Sequence, residues 1–117
     1  MSVIAIVIDE KKMKPAVLIQ LHRALNQPLQ TLKTLCHEGN PILEIEVFEG
    51  DLQERLKTIR GVLKIISDEK ISADFYEIPC GEKYAGNKHL DKRAVTADFV
   101  NSMLDAVDEE FDRQSDN

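Results

Sequence analysis

The chain has 117 residues, with 21 Asp and Glu against 15 Lys and Arg and a formal net charge of −6. This length supports one modest hydrophobic core and is short for two ordinary domains. The negative charge argues against attraction of the whole surface to nucleic acid or to anionic lipid. Aromatic residues make up 5% and Trp is absent, so stacking platforms for single strands are few. We therefore expect one domain that binds neither nucleic acid nor a membrane.

The cysteine content and the first residues of the chain indicate the cellular compartment in which we expect the protein. Cys36 and Cys80 are too few for a disulfide framework, which favours a reduced, cytoplasmic setting. The apolar run that follows Met1 is about six residues long, too short for a membrane span or a signal peptide.

The first third of the chain predicts a strand and two short helices. Residues 3–8 are apolar and mostly β-branched without alternation, which is typical of a central strand. Pro15 suits the first turn of a helix, and Pro28 ends that helix because it disfavours helical geometry at the residue before it. A second helix then runs from Leu29 to a left-handed stop at Gly39.

The middle of the chain carries the clearest periodic pattern. Residues 41–48 alternate apolar and acidic side chains, which predicts a strand with one buried face, whereas apolar residues recur every three or four positions across 52–66 and predict a helix. Asp51 is a candidate cap for that helix, with Glu54 completing a capping box. Residues 73–78 predict a third strand.

The last part of the chain predicts one long helix from about His89 to Arg113. It carries two apolar stripes, and two stripes need two surfaces to pack against. One stripe comprises Leu90, Ala94, Ala97, Leu104, Val107 and Phe111, and the other Val95, Phe99, Met103 and Ala106. We therefore predict a homodimer that associates through this helix. The residues predicted for self-association are Val95, Phe99, Met103, Val107 and Phe111.

The expected fold class is α+β. The element order is β-α-α-β-α-β, with a three-stranded, mostly antiparallel sheet and helices on one face. Residues 1–79 form this α+β unit. Residues 80–117 add a loop and an amphipathic association helix that belongs either to the same domain or to a dimer interface.

The segment from Lys14 to Lys33 resembles the C-terminal domain of the bacterial ribosomal stalk protein. It falls without gaps on that family's first helix, its turn and its second helix. In that family a basic and apolar face across the two helices docks translation factors. The resemblance implies a partner-binding face here, formed by Lys14, Leu18, His22 and Lys33.

Residues 35–39, Leu-Cys-His-Glu-Gly, followed by a strand, a helix and a strand, are similar to ClpS, an adaptor of the Clp protease. Asp9-Glu10 lies near the place where that family has an Asn-Asp pair. The two families share one small fold, and the resemblance covers residues 3–78. It implies a protein-binding module without catalysis.

Thiolate and imidazole side chains raise an alternative, because zinc prefers such ligands. Cys36, His37, Cys80 and His89 would be the candidates, but no Cys-x-x-Cys or His-x3-His pair presents two ligands locally. Cys36 and His37 point about 100° apart on a helix, which also disfavours a nucleophile pair. A buried thiol and a surface histidine explain the same residues.

We expect a non-enzymatic cytoplasmic protein-interaction module, adaptor-like in its mode of action, with no cofactor, no metal and no catalytic residues. Two other interpretations stay open: a structural homodimer without another partner, and a small enzyme or thiol- or metal-based ligand-binding protein with a site in the region of Cys36, Cys80 and His89.

Overall fold

The computed structural model describes residues 2–9, 11, 13–46, 52–79 and 81–115. Its helices and antiparallel strands define an α+β fold. Their bounds are β1 Ser2–Ile8, α1 Pro15–Leu25, α2 Leu29–Glu38, β2 Leu43–Glu46, α3 Leu52–Asp68, β3 Ala73–Pro79, α4 Leu90–Arg93, β4 Ala94–Val95 and α5 Ala97–Ser115.

The described strands form one antiparallel sheet in the order β2-β1-β3-β4. β1 lies at its centre, as its unbroken apolar run predicts, and pairs with β2 and β3 on its two sides. Ile6 is in register with both Leu43 and Phe75, so these three side chains share one face. Ala5 is in register with Glu44 and Tyr76 on the opposite face.

The core lies between one face of the sheet and the helices. Alternate residues of β1, Ile4, Ile6 and Ile8, are fully buried there. The helices contribute most of the remaining members, among them Val17, Leu21, Leu32, Ile59, Val62, Val100 and Leu104. The alternation predicted for β2 is confirmed, because Leu43 and Ile45 pack against this core while Glu44 is exposed.

The corner between α1 and α2 is built by local chain chemistry. Asn26 has a left-handed conformation, φ 54°, and ends α1. His22 Nδ1 is hydrogen-bonded to the carbonyl oxygen of Gln27, and Pro28 then precedes the first residue of α2. Gly39 ends α2 at φ 73°, a conformation that favours glycine. The predicted bounds of both helices are therefore confirmed.

The predicted three-stranded sheet is wrong in its strand number, because residues 94–95 add a short fourth strand. Val95 pairs with Phe75, and Ala94 pairs with Tyr76. The single helix predicted from His89 to Arg113 is consequently wrong: a four-residue helix and β4 precede α5. Thr96 begins α5 by accepting a 3.0 Å hydrogen bond from the Phe99 N–H through Oγ1, as an N-cap residue does.

The residues after β3 pack on the same core as those before it. Val100, Leu104 and Val107 belong to the core cluster, and α5 contacts α3. The Arg60 guanidinium on α3 also donates a 3.0 Å hydrogen bond to the Asp105 carboxylate on α5. The proposed cap at Asp51 and the end of the predicted 41–48 strand lie outside the described residues.

Candidate functional site

A groove of about 570 Å³ opens between α1 and α2. Its lining is mostly apolar and includes one ammonium group. The lining residues are Met13, Pro15, Leu18, Ile19, Leu29, Lys33 and Cys36. The groove lies within the size range of protein ligand sites, but it is partly open to solvent, a form that suits a protein segment.

Large apolar side chains are exposed on both walls of the groove. Ile19 on α1 is 44% exposed and Leu29 on α2 is 39% exposed, whereas Leu18 at 6% forms part of the floor. Scattered exposed apolar residues are ordinary, but two that share one groove with a buried apolar floor are typical of a docking surface.

The structure brings together part of the predicted partner-binding face. Leu18 and the exposed Lys33 line the same groove. Lys14 is exposed at the N-cap position of α1, between the two lining residues Met13 and Pro15. His22 is different: it is not among the lining residues, and its ring is used in the corner between the helices.

The two large exposed apolar residues of the groove, Ile19 and Leu29, are not part of the predicted partner-binding face. Ile19 follows Leu18 directly and so falls outside the apolar stripe of α1, where a helical pattern gives it no buried role. Leu29 has the spacing of a core residue but lies at the first position of α2, where the helix has only begun to meet the core. An apolar residue just outside a helix stripe was the available signal for Ile19.

The walls of the groove belong to a basic segment of an acidic chain. Residues 11–37 contain five Lys or Arg and none of the chain's 21 Asp and Glu. The first turns of α1 and α2 likewise contain no acidic residue. The local charge is therefore opposite to the net charge of −6, and it favours an acidic partner.

The opposite face of the sheet is occupied by the loop before α4. The backbone N–H of Tyr84 donates to the Glu44 carboxylate on β2 at 3.1 Å, and its ring meets that of Tyr76 edge-on with centroids 5.6 Å apart. Arg93 closes the loop by donating a 3.0 Å hydrogen bond to the carboxylate of Glu82. These contacts place the Tyr84 segment beside the fully buried Ala5.

The two tyrosines on this face, Tyr76 and Tyr84, are both weaker acids than a free tyrosine. Burial, followed by the carboxylate of Asp74, raises the pKa of both Tyr76 and Tyr84 above the ordinary 10.0. The neutral phenols are thus the form that this face favours.

The thiol and imidazole candidates among the described residues differ in their exposure to solvent. Cys36 is 4% exposed on the floor of the groove, while His37 and His89 are exposed. Within the described ranges there is no group of three or more His, Cys, Asp or Glu suited to a metal. Cys80 lies outside them.

The residues predicted for self-association occupy different environments. Val107 is 8% exposed in the core, and Val95 and Met103 pack partly against it. Phe99 is 45% exposed on α5. The side chain of Phe111 lies outside the described residues.

Comparisons with protein-family models, with curated proteins and with solved structures found no match to this chain. The resemblance to the stalk protein and to ClpS stays a prediction from the residue pattern. Among the residues that the structure covers, no helix combines the length and hydrophobicity needed to span a membrane.

Proposed function

We propose that this chain is a non-enzymatic, cytoplasmic protein-interaction module that docks a partner in the groove between α1 and α2. The observation that carries the proposal is the pairing of Ile19 and Leu29, both exposed, across an apolar floor. Grooves between two helices recurrently accept an apolar segment of a partner protein.

The charge around the groove supports an acidic partner. Lys33 lies in the groove, and Lys14 lies beside it at the start of α1. An ammonium group at the rim of an apolar groove steers an oppositely charged segment and fixes its orientation, while apolar contact supplies most of the affinity.

An adaptor-like role agrees with the resemblance of residues 3–78 to two families that lack catalysis. The groove contains one thiol, that of Cys36, and this thiol is 4% exposed. A buried thiol serves as a small apolar side chain of the floor.

The test is affinity capture with the full chain and three variants, followed by calorimetric titration of the captured protein after purification. Leu29→Asp and Lys33→Glu change the groove at exposed positions, and Lys57→Glu changes an exposed ammonium on α3 as the matched control. A partner that binds the unchanged chain and the control alike, and binds each groove variant about tenfold more weakly or worse, supports the proposal. Equal binding by all four proteins would contradict it.

A further inference from the structure

The described part of α5 presents an acidic and partly apolar surface. Phe99 is 45% exposed on this helix, and Asp98, Asp105 and Glu109 are exposed around its outer side. Residues 97–115 contain six Asp or Glu and one Arg. This helix therefore combines an exposed aromatic ring with negative charge, the two properties that the groove between α1 and α2 would select in a partner.

The chain thus carries two complementary surfaces. Residues 11–37 hold five Lys or Arg and no acidic residue, whereas residues 97–115 have the opposite balance. The large exposed apolar residues of the described part follow the same division: Ile19 and Leu29 line the basic groove, and Phe99 lies on the acidic helix.

The main contacts between helices do not join these two surfaces within one molecule. α5 makes its main helix contact with α3, to which the Arg60–Asp105 pair joins it, and Val100 and Leu104 of α5 lie in the core. α3 in turn contacts α1, which contacts α2. Within the described residues, α3 therefore intervenes between α5 and the groove, and Phe99 remains exposed.

We propose that the groove between α1 and α2 accepts α5 of a second copy of this chain, with Phe99 of that copy on the apolar floor and its Asp98 beside Lys33. The inference rests on the proposed function of the groove and names its occupant. Each copy offers one groove and one Phe99, so a two-fold exchange satisfies both copies and closes the assembly as a dimer.

Sedimentation velocity tests the association with the full chain between about 1 and 100 µM at low ionic strength. The expected result is a monomer–dimer equilibrium that shifts toward monomer as salt is raised, because exposed charge pairs are screened. Phe99→Ser and Lys33→Glu are each expected to weaken the dimer about tenfold or more, whereas the control Lys57→Glu leaves it unchanged.

A charge exchange makes the test specific to the proposed pair. Lys33→Glu and Asp98→Lys each place like charges together in their own dimers, but a mixture of the two proteins restores opposite charges in both grooves. The mixture is therefore expected to form a heterodimer at concentrations where each variant alone is monomeric. Circular dichroism checks that Asp98→Lys, which lies in the first turn of α5, keeps its helices.

A photo-crosslinking residue at position 99 reports the contact directly. Crosslinks to peptides from 13–36 of the other copy support the proposal. A chain that stays monomeric at about 100 µM in low salt, or a dimer that crosslinks elsewhere and ignores the groove variants, overturns it. Either result leaves the docking of a different protein in the groove to its own capture test, so the two proposals fail separately.

Discussion

The phenol of Tyr84 donates a 3.1 Å hydrogen bond to the carbonyl oxygen of Gly39, the residue that ends α2. Forty-five positions of chain separate the two residues. Through this bond the loop after β3 is tied to the helix that forms one wall of the groove. The backbone N–H of the same Tyr84 reaches Glu44 on β2, so one residue connects three parts of the fold.

Removal of this phenol should lower stability by a small amount. Tyr84→Phe keeps the ring beside Tyr76 and deletes the bond to Gly39, which lies near solvent, so we expect a loss of about 0.5–1 kcal/mol. Urea denaturation followed by circular dichroism measures it. Tyr76→Phe is the matched control, because it removes a neighbouring phenol and keeps the bonds of Tyr84. Equal losses in both variants would show that the Gly39 bond contributes nothing specific.

The raised pKa of Tyr76 and Tyr84 predicts a loss of stability in alkali. The folded chain holds these protons to a higher pH than the unfolded chain, whose tyrosines have a pKa near the ordinary 10.0. The stabilisation is fully present below that value and declines as the pH rises through the folded pKa values. Urea midpoints from about pH 9 to about pH 11 measure the decline. It should be shallower in the Tyr76→Phe/Tyr84→Phe double variant, and an identical decline would contradict the assignment.

Replacement of Leu104 tests whether α5 belongs to the core of its own chain. Leu104 is fully buried, so Leu104→Ala should cost about 2–5 kcal/mol. Asp105→Asn is the adjacent control: it breaks an ion pair with partly exposed partners and should cost less than about 1 kcal/mol. Chemical denaturation at a concentration where the chain is monomeric separates the two. A Leu104→Ala loss as small as that of the control would mean that α5 is held by something other than this core.

The start of α5 gives a fourth prediction. Thr96→Ala removes the Oγ1 atom that accepts the Phe99 N–H and should cost about 0.5–2 kcal/mol. Ser102→Ala, at an exposed position inside α5, should leave stability unchanged or raise it by a few tenths of a kcal/mol, about the difference in helix propensity. Thermal denaturation of both variants suffices. A neutral Thr96→Ala would show that the helix begins without this cap.

Periodicity predicted the core elements because burial imposes it. The central position of β1, the alternation in β2 and the ends of α1 and α2 follow from local rules that each act over a few residues, such as the left-handed stop at Gly39. These rules hold regardless of the tertiary contacts that a distant segment makes.

Periodicity did not predict β4. Ala94 and Val95 lie in an apolar run that continues at helical spacing into α5, so a pattern reading extends the helix back through them. The competing signal was Thr96, a β-branched N-cap residue that separates the strand from the helix. Pairing with β3 is a tertiary contact, and two residues are too few to show strand periodicity.

The groove was predicted only in part for a related reason. Leu18 and Lys33 came from the resemblance of residues 14–33 to a known family, but the exposure of Ile19 and Leu29 depends on the distance between two helices. Periodicity assigns each side chain of a helix to a buried face or to a solvent-exposed face. It does not identify an apolar residue that is exposed at the edge of a groove. Such residues are found only when both helices are placed.

The left-handed turn at Asn26 affects how rigid the groove between α1 and α2 is before a partner binds. Three local features lie within seven residues at the corner between α1 and α2: this turn, the hydrogen bond from the His22 ring to the Gln27 carbonyl, and Pro28. Together they restrict the movement of one helix relative to the other. Under the proposed docking function, a partner segment would therefore meet a groove that is already formed. Little of the binding free energy of that segment would be spent on ordering the groove. Even a short segment with one aromatic side chain would then dissociate slowly.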